Sequence, residues 1–326
     1  MQKTINWGIL GTGKIANIFA MDLKKIPDAK LIAVGSRSKY RASEFAKKFN
    51  AEHFYGSYSE LVNDSEVDVV YIATPHPLHK ENTILCLQHG KAVLCEKPIA
   101  INEREAQEMV ACARKNNLFL MEAMWTRFLP VIKTFRQWLQ DKRIGKVRLL
   151  IADFGFRAEW NPQGRLLNPA LAGGALLDVG IYTVSLASMI FGSLPYHIRA
   201  DSYLGKTGVD EQTAIILKYE QGELALLSCA ICTNTSQDAR IYGTKGMIYI
   251  PQFWRASTAT LQINGQAPMH SNEPSGYHYE AMEVISCLRA GEKESKIITL
   301  DESIAIMRIM DQIRAQIGLG YPMESV

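Results

Sequence analysis

At 326 residues, with 47% hydrophobic and 21% charged side chains, the chain is long enough for two hydrophobic cores and has the composition of an ordinary globular protein. A net charge of +3, with lysines and glutamates mixed along the chain, argues against nucleic acid or a membrane surface as the main partner. No apolar run is expected to span a membrane, and an N-terminus that enters a strand without an apolar leader predicts no cleaved signal.

In chain order, residues 5–10 predict a strand and residues 16–25 a helix with Ala16, Phe19, Ala20 and Leu23 on one face. Between them stands Gly11-Thr12-Gly13-Lys14-Ile15-Ala16, a G-x-G-x-x-A fingerprint in a strand–turn–helix setting. Gly11 permits a tight turn, Gly13 lets the backbone approach a pyrophosphate, and Ala16 lets helix and strand pack closely. The helix start offers N–H groups and partial positive charge to phosphates. A second strand, 30–34, ends in Gly35-Ser36-Arg37-Ser38-Lys39, with Arg41 nearby. An NAD-specific site would carry an acid here for the ribose 2′-hydroxyl, whereas two hydroxyls and a guanidinium suit a 2′-phosphate. The cofactor expected is therefore NADP rather than NAD.

Residues 67–73 predict a buried strand that runs into Thr74-Pro75-His76-Pro77-Leu78-His79. The prolines are expected to keep this loop extended, with Thr74, Pro75 and His79 lining the nicotinamide side. The apolar run 92–95 leads into Glu96-Lys97-Pro98, placing a lysine at the carboxyl end of a parallel strand, where open α/β sheets bind ligands. That position aims Lys97 at a nicotinamide ring and points to hydride transfer. Asn102 and Glu105 resemble a capping box for a helix over 103–116. A strand at 119–123 ends in Met124-Trp125-Thr126-Arg127-Phe128, where Trp125 and Arg127 are candidates to flank the cofactor.

A helix over 129–141 and a strand over 145–156 open the second half, followed by a Gly-, Pro- and Asn-rich loop over 161–174. Residues 174–191 predict a helix on which Asp178 and Tyr182, at i and i+4, share one face of an otherwise apolar segment. From 197 to about 261 the pattern is β without interleaved helices, which predicts one mostly antiparallel sheet. Helices return at 277–290 and 301–317. Such a sheet has helices for one face only, so the other predicts a homo-oligomer, most simply a dimer. The six cysteines lie mostly in apolar runs, as in reduced, cytoplasmic proteins. Cys229-Ala-Ile-Cys232 has metal- or redox-pair spacing, but residues three apart on a strand face opposite ways, and no metal is expected.

Three motifs together, Gly11 to Ala16, Glu96-Lys97-Pro98 and Gly173-Gly174…Asp178-x-Gly180-x-Tyr182, resemble the glucose–fructose oxidoreductase and inositol dehydrogenase (Gfo/Idh/MocA) family across essentially the whole chain. Tyr182, where many inositol dehydrogenases have His, together with Met124 to Phe128 and Ser36-Arg37-Ser38, is nearer the branch of dimeric dihydrodiol dehydrogenase and NADP-linked D-xylose dehydrogenase. The resemblance implies an α/β chain: an N-terminal Rossmann dinucleotide-binding domain (1–123) and a C-terminal α+β domain (124–326) with a large, open-faced, mostly antiparallel sheet. It implies that Glu96 holds the nicotinamide ribose and that Lys97-Pro98 is a cis peptide. It also implies an NADP-dependent dehydrogenase acting on CH–OH groups of a sugar, cyclic polyol or vicinal diol, with Lys97, Asp178 and Tyr182 catalytic. Lys97 is expected to favour the Tyr182 phenolate, since a free phenol titrates near pH 10. Phe154, Phe156, Trp160 and Tyr279 are candidate substrate walls. The rival readings are a sugar aldehyde or ketone reductase of the same family and a non-catalytic NADP-binding sensor.

Overall fold

In the computed structural model, which describes residues 3–192 and 194–324, the chain divides into two compact units. The first comprises the chain through Trp125 together with Gly276–Ile304; the second is Thr126–Ser275 together with the segment from Ala305 onward.

The first unit opens with β1 (Ile5–Leu10), α1 (Lys14–Leu23), β2 (Ala29–Gly35), α2 (Lys39–Phe49), β3 (His53–Tyr55) and α3 (Tyr58–Val62). It continues with β4 (Val69–Ile72), α4 (His79–Gln88), β5 (Ala92–Glu96), α5 (Glu103–Asn116) and β6 (Leu120–Ala123). The six strands form one parallel sheet in the order β3-β2-β1-β4-β5-β6. The order reverses between β1 and β4, and a crevice at the carboxyl ends there is where such sheets take ligands. Every residue of β4, β5 and β6 is buried, because helices cover both faces. That is why these strands read as unbroken apolar runs.

The second unit contains α6 (Pro130–Gln140), β7 (Val147–Gly155), α7 (Ile181–Phe191), β8 (His197–Leu204), β9 (Asp210–Lys218) and β10 (Leu224–Ala230). It continues with β11 (Ala239–Gly243), β12 (Gly246–Ile250), β13 (Thr258–Ile263) and β14 (Met269–Asn272). The eight strands are ordered β14-β13-β12-β11-β7-β10-β9-β8, antiparallel except for the β10–β7 pair. β9 alternates buried and exposed residues, the signature of a sheet with one open face. On that face Ile216 and Leu226 sit directly opposite each other, 45% and 38% exposed.

Several expectations needed adjustment. The division expected after residue 123 falls after Trp125, and residues 276–304, with α8 (His278–Ala290) and the start of α9 (Leu300–Ile317), return to the first unit. Two contacts hold them there: the Tyr277 N–H donates to Asp22 at 2.6 Å, and the Leu120 N–H donates to the Lys293 carbonyl at 3.1 Å. The β region extends past residue 261, because β13 and β14 complete the sheet edge. The loop after β4 is not extended throughout but turns as a 3₁₀ segment, His76–Leu78, with proline in its first turn. By length and composition Pro169–Phe191 is long and apolar enough to cross a membrane, contrary to expectation; most of it is buried inside the second unit.

Candidate active site

The glycine loop joins β1 to α1. Gly11 has φ +101°, and a Cβ there would lie 2.7 Å from the Ala73 carbonyl oxygen, so only glycine fits. A Cβ on Gly13 would meet nothing within 4 Å. Gly13 is the N-cap of α1, no side chain caps the helix, and its first turn carries no acid. Bare N–H groups facing open space, next to a turn closed against β4, fit the pyrophosphate of a dinucleotide. Thr12, Lys14 and Ile15 belong to the same turn, and Ala16 is fully buried beneath it.

At the end of β2, Ser36 is buried and its hydroxyl accepts from the Ser38 N–H at 3.3 Å. Ser38 caps α2 by accepting from the Arg41 N–H at 3.4 Å. Arg37, Lys39 and Arg41 are exposed, and none of the three has a carboxylate partner among the described residues. A cap of this type stabilises a helix by about 1 kcal/mol, and here it also fixes the backbone from which the cations project.

The Lys97-Pro98 peptide is cis. Glu96 is buried; it accepts from the Tyr71 hydroxyl and, at 3.1 Å, from the Lys97 N–H. Burial, and then the Glu96 charge, hold the Tyr71 phenol well above its ordinary range. Glu280, on α8, is fully buried with both carboxylate oxygens lacking a hydrogen-bond partner. Burial, reinforced by Glu96 and Asp22, pushes its carboxyl far above the usual carboxylate range, which favours the protonated form. Neither Tyr71 nor Glu280 carries a motif that sequence reading would flag.

His79 departs from its expected lining role. It is fully buried, with Nδ1 2.8 Å from the Pro98 carbonyl and Nε2 2.9 Å from the Thr74 carbonyl. Burial lowers its pKa against the pull of these carbonyls, which favours the neutral ring. It ties the loop after β4 to the loop after β5 and so fixes Thr74, Pro75 and Lys97 from behind. Asn82, which the sequence did not single out, donates to the Thr74 hydroxyl at 3.2 Å. Trp125 is 4% exposed and stacks on Tyr277 at 4.1 Å and 16° between planes. Arg127 lies in the second unit, buried, donating to the Ser185 hydroxyl and carbonyl at 3.0 and 2.8 Å. It thereby anchors α7.

In the second unit, Asp178 lies in a single π turn, Leu176–Gly180, that leads into α7, so the expected regular helix is widened at this point. Such turns concentrate at functional sites, because the extra residue re-aims neighbouring side chains. Asp178 is 5% exposed and takes a two-pronged pair from Arg165, at 2.7 and 3.3 Å. Tyr182 is 6% exposed, 5.4 Å from the Phe154 ring. Trp254 stacks on Phe154 at 4.8 Å and meets Tyr182 edge-on at 6.5 Å. Its indole N–H donates to Gln237 at 2.8 Å, which fixes the ring. Arg165 and Trp254 were missed because one lies in a loop and the other in a three-residue 3₁₀ turn, Phe253–Arg255, neither of which has a local pattern. Phe156 is half-buried, Trp160 is 58% exposed, and neither joins this aromatic group; Tyr279 belongs to the first unit, packed on His278 at 4.0 Å.

Cys229 and Cys232 do not form a pair: both are free thiols, and burial pushes that of Cys229 far up. The structure does gather one group of metal-ligand type among the described residues, Glu52, His53 and Glu66, with ligand atoms within 4.8 Å of one another. There Lys30 already pairs with Glu52 at 2.5 Å and Asp64 holds His53 at 2.7 Å.

A dinucleotide cradle on a parallel sheet and a buried acid–phenol helix on a second, antiparallel sheet define a two-unit oxidoreductase. Residues 5–124 match the oxidoreductase family with an NAD-binding Rossmann fold, and residues 132–249 match the GFO/IDH/MocA C-terminal domain. The chain is 41% identical over 329 residues to trans-1,2-dihydrobenzene-1,2-diol dehydrogenase of Xenopus laevis, covering 97% of this chain and 99% of the relative. Among solved structures it is similar to the aldose-aldose oxidoreductase of Caulobacter crescentus (24% identity, TM-score 0.88, 96% and 97% coverage). It is also similar to a 3-ketoreductase of Actinomadura kijaniata in complex with NADP and TDP-benzene (23% identity, TM-score 0.86, 97% and 98% coverage). The chain belongs to the GFO/IDH/MocA oxidoreductase family. It is a nicotinamide-dinucleotide-dependent dehydrogenase of the type that acts on CH–OH groups.

Proposed function

We propose that the protein is an NADP-dependent dehydrogenase that oxidises a vicinal diol, cyclic polyol or sugar, with Lys97, Asp178 and Tyr182 as its reactive side chains. The observation that carries this reading is the Tyr182 ring packed beside Phe154 and Trp254, following an Asp178 fixed by Arg165. Two aromatic faces beside a phenol suit a hydrocarbon ring or the apolar face of a sugar. The full-length likeness to a dihydrodiol dehydrogenase supports a vicinal diol among these.

In this reading the residues at Gly11 to Ala16 hold the pyrophosphate, and Ser36, Arg37, Ser38 and Arg41 hold the 2′-phosphate. Thr74, Pro75 and Glu96 hold the nicotinamide riboside. The bound nicotinamide supplies the hydride acceptor or donor. Tyr182 takes the proton from the substrate hydroxyl during oxidation and returns it to the carbonyl during reduction. In this reading Lys97 serves to favour the phenolate, since a cation stabilises a negative charge. Asp178 accepts from a substrate hydroxyl and orients it.

Three cations after β2 without a carboxylate partner among the described residues, and no acid between Gly35 and Ala42, support NADP over NAD. The apolar pair Ile216 and Leu226 supports a homodimer of the C-terminal sheets through their open faces. Six free thiols support a reducing, cytoplasmic setting.

The test is a spectrophotometric screen with NADP and NAD against trans-dihydrodiols, D-xylose, D-glucose, inositols and dicarbonyls. Reduction of NADP with at least one diol or sugar is expected. Tight NADPH binding without turnover of any of them would remove the catalytic reading, and a preference for NAD would remove the role of Arg37.

A further inference from the structure

The segment that carries Asp178 and Tyr182 is held at its start by a group with no part in the reaction outlined above. Asp210, the first residue of β9, is fully buried. Its Oδ2 accepts from the Leu176 N–H at 2.8 Å and from the Thr213 hydroxyl at 2.8 Å. Oδ1 has no hydrogen-bond partner. It abuts Gly174, where φ is +119° and a Cβ would lie 2.1 Å away. The Gly174 N–H is fixed in turn by the Leu166 carbonyl at 2.8 Å. No other side chain at this position would leave room for the carboxylate.

A second hold comes from the C-terminal end. The Tyr321 hydroxyl donates to the Gly173 carbonyl at 2.8 Å. Arg314 lies over the Tyr321 ring at 5.3 Å and grips Glu324 with two bonds, 2.7 and 2.8 Å. Glu324 also accepts from the Tyr321 N–H at 3.0 Å. Gly173-Gly174 is thus clasped from one side by β9 and from the other by the turn after α9.

We propose that Asp210 is a positioning residue: by capping the Leu176 N–H and abutting Gly174, it sets where the π turn begins and therefore where Asp178 and Tyr182 point. An N-terminal carboxylate both satisfies an orphan N–H and complements the helix dipole. The π turn makes the placement sensitive, because a turn with one extra residue relaxes to ordinary helix when its start is released, and every later side chain then rotates. Burial pushes the Asp210 carboxyl up to about 7, against the pull of Thr213, the Leu176 N–H and Arg314. The charged and titratable groups facing it are Arg314 from α9, Tyr321 from the C-terminal turn and Cys229 from β10, with Glu324 behind Arg314 and Tyr321. Ionised Asp210 is the stronger cap, so the hold tightens as pH rises through about 7.

The inference rests on the reaction proposed above only for its activity arm. Asp210→Asn keeps shape and one acceptor. Hydrogen exchange at the amides of residues 174–182 should accelerate tenfold or more, with exchange in the first unit and NADPH affinity unchanged. Turnover should fall about tenfold through kcat, and the kcat profile should lose an inflection near pH 7. Wild-type exchange at 174–182 with a wild-type pH profile would overturn the assignment. Should that variant fail to fold, Tyr321→Phe removes only the hydroxyl on Gly173, and the same amides must exchange at least threefold faster; wild-type protection there overturns it equally. If no substrate turns over in the wild type, faster exchange still supports the positioning role, and only the reading of the reaction fails.

Discussion

The two units place functional groups by opposite means. In the first, the groups sit on loops at the carboxyl ends of buried parallel strands, and the backbone itself supplies much of the chemistry: a glycine turn, bare helix N–H groups and a lysine one residue past a strand. In the second, the groups sit on a helix buried against an antiparallel sheet, and side chains from remote segments, Arg165, Asp210 and Trp254, hold them. Placement in the first therefore depends chiefly on backbone freedom. Placement in the second depends on remote side chains and, at Gly174, on backbone freedom as well.

The sharpest break of that contrast falls at the reacting groups. Lys97→Met and Tyr182→Phe should each lower turnover about 10³-fold, as expected for loss of a proton-transfer partner, while NADPH quenches tryptophan fluorescence as before. Turnover within tenfold of wild type for either variant would end its assignment. Next come the glycines. Gly13→Val should weaken NADPH at least about a hundredfold, yet change stability by no more than about 1 kcal/mol, because its side chain would enter open space. Gly11→Ala should instead destabilise the fold by about 1–3 kcal/mol, read by urea titration, because φ +101° and the Ala73 carbonyl both oppose a Cβ. If both variants lose stability alike, the first unit is not reading backbone space as described.

Arg37→Ala should weaken NADPH by about tenfold to a hundredfold and leave NADH unchanged, the loss of one charge-assisted contact to a phosphate. Equal loss for both cofactors would place Arg37 away from the 2′-phosphate. For the open sheet face, Leu226→Glu opposite Ile216 should convert a dimer to monomers in light scattering at micromolar protein. An unchanged mass would move the interface elsewhere.

The smallest effect lies at the sheet edge in the first unit. The hydrogen bond to Asp64 raises the pKa of His53, against a weaker opposing effect of burial. A raised histidine stabilises fully below its unfolded value of 6.5, and that contribution fades as pH rises through the raised folded value. Because the ring is partly solvated, about 0.5 kcal/mol is expected. The melting temperature of wild type should fall slightly more than that of His53→Gln between pH 5.5 and 8.5. Parallel losses would show that the pair contributes nothing.

Legibility in the sequence follows the same divide. Local rules apply to the first unit: unbroken apolar runs mark strands covered on both faces, glycine spacing marks a turn before a helix, and Asn102 does cap α5 by accepting from Glu105 at 2.9 Å. Motif spacing pointed to Lys97, and i, i+4 spacing predicted Asp178 and Tyr182 on one face of a regular helix, where the structure sets Asp178 in a π turn ahead of α7. His79 shows where such reasoning stops. Its place in the chain suggested a crevice-lining ring, whereas two carbonyls at separate loop ends draw it inside. Arg127, likewise next to the cofactor unit in sequence, turns to Ser185, 58 residues away.

What the sequence determined by itself was the parallel dinucleotide unit, the open antiparallel sheet and the residue types available for hydride-transfer chemistry, because each depends on neighbours within a few positions. Only the tertiary structure decided that residues 276–304 return to the first unit, that Arg165 grips Asp178, that Trp254 walls Tyr182, and that Asp210 starts its helix. Those contacts join segments whose separation leaves no period or motif. They are chosen by the need to satisfy buried polar groups and fill apolar space, and that need exists only once the chain has closed on itself.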